Sequence, residues 1–144
     1  MSGLYETDIL EWSEHQTELL RRIAQGERLN ENPDWANIIE EVESVGRDQL
    51  RAVESFLVQA IAHTLKAQAW PASREVPGWH AEARRFQGEA AARYTPSMRQ
   101  RLDLSKIYRR ALRALPSQID GQPPAPMPPT VAFTLEDLLQ DEPQ

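Results

Sequence analysis

The chain has 144 residues, of which 40% are hydrophobic and 26% charged, and it contains no cysteine. A chain of that length buries roughly two-thirds of the surface it exposes when unfolded, so its core needs neither disulfide nor metal. The missing thiols exclude a disulfide scaffold, an iron–sulfur cluster, a thiolate zinc site and a cysteine nucleophile. The net charge of −6 is unevenly laid out: residues 1–54 carry 13 acids and 5 bases, residues 55–115 carry 4 acids and 11 bases, and residues 116–144 carry 5 acids and no base. Opposite blocks of this kind neutralise each other on folding or present opposite faces to partners.

The first residues, MSGLYETDILEW, are acidic where a signal peptide is basic, and no apolar run follows them. The most apolar stretch, FLVQAIAHTL from Phe56 to Leu65, is too short to span a bilayer and is interrupted by Gln59 and His63. The expectation is a cytoplasmic protein without membrane contact.

Apolar spacing is helical almost throughout, with no sustained alternation and no Asn-Gly or Asp-Gly hairpin signal. Thr7 or Asp8 can cap a first predicted helix, with Glu11 completing a capping box with Asp8 and Gly26 at the C-terminal cap. Its stripe is Ile9, Trp12, Leu19, Leu20 and Ile23. Asn32-Pro33 reads as cap plus first-turn proline for a second helix bearing Trp35, Ile38, Ile39, Val42 and Val45, which Gly46 ends or kinks. A third is expected from about Arg47 to Trp70, stopped by Pro71, with two apolar stripes that suit a central position. After a loop over 71–78, a fourth carries Trp79, Ala83, Phe86, Ala90 and Tyr94. Thr95-Pro96 then opens a fifth with Met98, Leu102, Tyr108, Ala111, Leu112 and Leu115.

Six of the eleven prolines fall between 116 and 129, which predicts an extended segment. Thr134 then caps one last turn bearing Leu135, Leu138 and Leu139, too short to stand alone and therefore docked. The predicted fold is all-α, a compact up-and-down bundle of four to five helices over residues 1–115. Residues 116–144 form a proline-rich tail of the same domain.

These landmarks resemble a bacterial family known as domain of unknown function 29. The likeness runs through Leu4-Tyr5-Glu6-Thr7-Asp8, Trp12, Gln16 and Leu20, and then Glu40-Glu41-Val42-Glu43-Ser44-Val45-Gly46-Arg47. It continues with His63-Thr64-Leu65-Lys66, Arg74, Trp79, Arg85, Tyr108 and Ala111, and with Pro129 and Phe133-Thr134-Leu135 to Leu139. The sequence departs from the family pattern at Thr64, Ala67 and Gly78, where leucine, an aromatic and serine are usual. The resemblance implies an all-helical fold and brings no activity with it.

Chemistry-bearing residues are few. His15, His63 and His80 fall on three predicted helices, a distribution that some metal-binding bundles use. The paired Glu-x-x-His and His-Glu-x-x-His signatures are absent, so no metal or other cofactor is expected. The fifth predicted helix carries Arg99, Lys106, Arg109, Arg110 and Arg113, which can follow phosphates, but a sequence pI near 5.1 argues against nucleic acid. No nucleophile elbow or phosphate-binding loop is present. The strongest constellation is His63, Lys66, Arg74, Trp79 and His80 around one helix–loop–helix corner, where cations beside a tryptophan form a candidate anion site. The same cations also complement the C-terminal end of a helix dipole.

The reading that follows is a non-catalytic helical binding module with a protein partner or a second copy. The alternatives are a metal- or anion-dependent enzyme built on the His63/Lys66/Arg74/Trp79 corner and a weak nucleic-acid contact through the basic helix.

Overall fold

In the computed structural model, residues 3–139 are described. Among them the regular structure is helical: α1 (Leu4–Thr7), α2 (Ile9–Ala24), α3 (Trp35–Ala69), α4 (Val76–Arg93), a 3-10 turn (Pro96–Met98), α5 (Leu104–Arg113) and α6 (Leu135–Leu139). β-type pairing among them is confined to an isolated bridge between Ile119 and Gln122. Contacts group the chain into two units, Met1–Arg47 and Asp48–Gln144.

In the first unit, Asp8 caps α2 by accepting from the Glu11 N–H at 3.1 Å, as its position before the apolar run requires. Gly26, at φ +88°, turns the chain out of α2. Its N–H reaches the Ile23 carbonyl while that of Glu27 reaches Arg22, the paired bonds of a Schellman ending. The start of α3 is pinned by side chains. Gln16 Oε1 accepts from the Asp34 backbone N–H at 2.7 Å, and Asp34 Oδ2 accepts from Trp12 Nε1 at 3.0 Å and from Asn37 Nδ2 at 2.7 Å. The Tyr5 hydroxyl donates to Glu41 Oε1 at 2.7 Å, and its ring meets Trp12 edge-on. Asp34, not Asn32, therefore anchors this helix, and Pro33 lies ahead of it, buried.

The predicted second and third helices are one. α3 runs unbroken through Gly46, because a helical glycine costs only about 1 kcal/mol and nothing else there stops the chain. A Cβ at Gly46 would meet no atom within 4 Å. Gly46→Ala is accordingly expected to raise the unfolding free energy by about 0.5–1 kcal/mol, read from denaturant midpoints at unchanged m-value.

The second unit holds the core. Val53, Leu57, Ile61 and Leu65 of α3 meet Ala90 of α4, Met98, and Ile107, Tyr108 and Ala111 of α5. Thr95-Pro96 opens a short 3-10 turn rather than a helix. α5 starts later, at Leu104, because Asp103 supplies the cap by accepting from the Lys106 N–H at 3.2 Å. Phe56 and His63 stand seven residues apart on α3 and both face Phe86 of α4, with ring centroids 6.1 and 5.5 Å away.

The tail docks on its own chain. Leu138 is buried in the core, and Phe133, Leu135, Leu139, Met127 and Val131 pack against it. The Tyr108 hydroxyl donates to the Pro128 carbonyl at 2.7 Å, and its ring meets Phe133 edge-on. Thr134 and Asp137 cap α6 reciprocally, at 3.0 and 3.1 Å. Arg99 pairs with Glu136, tying the basic middle of the chain to its acidic end.

Candidate functional site

The corner between α3 and α4 spreads its five candidates apart. His63 is half-buried, and its Nδ1–H donates to the Gln59 carbonyl one turn back, at 2.8 Å, which fixes the ring against Phe86. Its neighbour Glu82 is hydrogen-bonded by Arg85, which holds the carboxyl below its usual range, with His63 adding to the effect. Lys66 lies in the last turn of α3, where its charge suits the negative end of the dipole. Arg74 is exposed in the turn. Trp79 is half-buried in the first turns of α4 and donates its backbone N–H to Glu75, and His80 is exposed. Among the described residues, no hydrogen bond, ion pair or ring contact joins any of these five to another.

A concavity does lie at this end of α3, but the tail builds it. Its volume is about 360 Å³, and Trp70, Pro71, Ser73, Ile119, Asp120 and Gln122 are among its walls. None of the five candidates lines it. The Trp70 indole N–H donates to the Gln122 carbonyl at 2.9 Å and Ala125 donates to the Ala69 carbonyl at 3.0 Å, so the segment after Ile119 closes the helix end. Asp120 and Gly121, at φ +52° and +78°, make the tight turn that allows it. Sequence reasoning missed this closure, which joins residues 52 apart.

The histidines do not assemble. His15 meets Glu31 at 2.7 Å within the first unit, and among the described residues no group of three or more His, Asp or Glu is disposed to hold a metal ion. The basic residues Lys106, Arg109, Arg110 and Arg113 of α5 are exposed. Several ion pairs are local to their own helix: Arg85–Glu82 and Arg93–Glu89 on α4, and Arg47–Glu40 on α3.

The feature that periodicity did not reveal is on the N-terminal unit. Trp35, Ile39, Val42 and Val45 of α3 are exposed by 50, 55, 70 and 65%. Leu4 of α1 and Ile9, Leu10 and Ile23 of α2 join them, and these are all of the large exposed hydrophobics among the described residues. Spacing of four and three residues sets Trp35, Ile39 and Val42 along one helical face about 10 Å long. The polar anchors link the start of α3 to both preceding helices: Glu41 accepts from Tyr5 of α1, and Asp34, just ahead of α3, joins Trp12 and Gln16 of α2 to Asn37.

Among those anchors the Asp34 carboxyl is shifted. Hydrogen bonds from Asn37 first and Trp12 second hold the Asp34 carboxyl below its ordinary value of 3.8. A depressed carboxyl contributes stability above the unfolded value and loses it as pH falls through the folded one. Near-UV dichroism from Trp12 is therefore expected to diminish below about pH 4, and Asp34→Asn to flatten that dependence.

The chain matches the family described as domain of unknown function DUF29 over residues 4–142 and belongs to it. It is also similar to the crystal structure of an α-helical protein of unknown function from Rhodospirillum rubrum ATCC 11170. That protein is 26% identical, with a TM-score of 0.70, and the match covers 99% of this chain and 92% of the other. A comparison with curated proteins finds no match. Among the described residues, no helix is long and apolar enough to cross a membrane.

Proposed function

We propose that this protein is a non-catalytic interaction module whose working surface is the apolar face of its N-terminal unit, occupied by a helix of another protein. The observation that carries the reading is the distribution of exposure. The second unit hides its large hydrophobics, whereas the first presents Trp35, Ile39, Val42 and Val45 to solvent on one helix. Scattered exposed apolar residues need no explanation, but a contiguous stripe costs solubility and marks a surface that is covered in use. A helical stripe with four- and three-residue spacing is complementary to the ridges of another helix.

The test separates exposed residues from structural ones. Ile39→Ser with Val42→Ser is expected to move the melting temperature by no more than about 4 °C, since surface substitutions stay within about 0.5 kcal/mol each. The same pair should abolish a discrete photo-crosslinked adduct formed from position 45 in cells. A fall of about 8 °C or more would show that the chain itself buries these side chains, and would overturn the proposal.

A further inference from the structure

Resting on that reading, we infer that the helix received by the α3 face is basic and amphipathic. The unit that bears the face is acidic. Residues 1–47 hold eleven acids against four bases. Two of the four are engaged, Arg22 with Glu27 at 3.2 Å and Arg47 with Glu40 at 2.6 Å. On α3, Glu43 stands one turn beyond Ile39 and beside Val42, exposed at the edge of the stripe. Glu11, Glu14 and Glu18 are exposed on α2. An apolar strip with an acid at its edge, on an acidic unit, complements a helix that carries leucine-like residues on one side and lysine or arginine on its flanks. Ten residues from Trp35 to Val45 rise about 15 Å, so about three turns of such a helix fill the strip.

The same charges select against the other occupants. A second copy pairing through this face would bring identical patches together, because a two-fold interface is isologous, and so would set acid against acid. An anionic membrane surface and a nucleic acid are repelled for the same reason.

The chain has no cysteine, so Ala36→Cys, at an exposed position beside the stripe, takes a single environment-sensitive fluorophore. Ser117→Cys, exposed in the second unit, gives the matching control. The probes are a Leu/Lys amphipathic peptide of about 18 residues and its Leu/Glu counterpart. The expected result is saturable one-to-one binding of the Leu/Lys peptide, seen by the label at 36 and not at 117. Affinity should weaken about tenfold between about 50 and 300 mM salt. Ile39→Ser with Val42→Ser should lower it a further tenfold or more.

Equal affinity for the Leu/Glu peptide overturns the charge inference and leaves the interaction reading standing. If neither peptide binds and the double substitution converts a dimer to a monomer by light scattering, a second copy is the occupant and the basic helix is wrong. If neither binds and the protein is monomeric with and without the substitutions, the interaction reading itself falls.

Discussion

Deleting residues 130–144 is expected to lower the melting temperature by about 10 °C or more. The segment places Leu138 inside the core and packs Phe133, Leu135 and Leu139 against it. A fully buried side chain of this size contributes about 1.5–3 kcal/mol, and the partly buried three add less each, so the set is worth about 4 kcal/mol. In a chain of this size each kilocalorie moves the midpoint by about 3–5 °C. The truncation also uncovers the Tyr108 ring, which Phe133 meets edge-on. The measurement is a thermal melt beside light scattering. A truncated protein that melts with the full chain and stays monodisperse would show that the docking contributes nothing. Leu138→Ala is the gentler version, and at about 2–3 kcal/mol it should account for more than half of the loss.

This docking was legible in the sequence because its signals are local. Thr134 three residues before an acid, and leucines at helical spacing after a stiff linker, describe a capped turn that must be covered. The caps at Asp8 and Gly26 were legible for the same reason. Local signals failed where a residue's effect is conditional. Gly46 ends a helix only if the next residues prefer another conformation, and here the apolar spacing resumes at Leu50 and Val53, so α3 continues. Thr95-Pro96 fits the start of any helical turn, and only Asp103 decides that the long one begins at Leu104.

The candidate site was less legible, for a physical reason. Periodicity tells which residues share a face, but not whether that face is covered. Ile39 and Val42 share one helical face by spacing, as Leu57 and Ile61 do, yet the first pair is exposed and the second is buried. His63, Lys66, Arg74, Trp79 and His80 lie close in sequence, but the turn at 71–75 sends their side chains to separate surroundings. The concavity nearby takes its far wall from Ile119, Asp120 and Gln122, which only the folded chain brings to the end of α3.

That closure gives the second large effect. Trp70 is 5% exposed and donates its indole N–H to the Gln122 carbonyl at 2.9 Å. Trp70→Ala removes a large buried ring and is expected to cost about 3–5 kcal/mol. Trp70→Phe keeps most of the apolar volume and loses the donor. Gln122 is exposed and water can replace the bond, so this change should cost about 1 kcal/mol. The tail is thus held at two places along one stretch of chain, at 119–125 against Trp70 and Ala69, and at 133–139 against the core. Losing either anchor frees part of the stretch that the other orders. Trp70→Ala combined with deletion of 130–144 is therefore expected to cost less than the two separate losses together, by about 0.5–3 kcal/mol. Denaturant unfolding of the four proteins measures the difference. Strict additivity would show that the two anchors act independently and that the proline-rich segment between them transmits nothing.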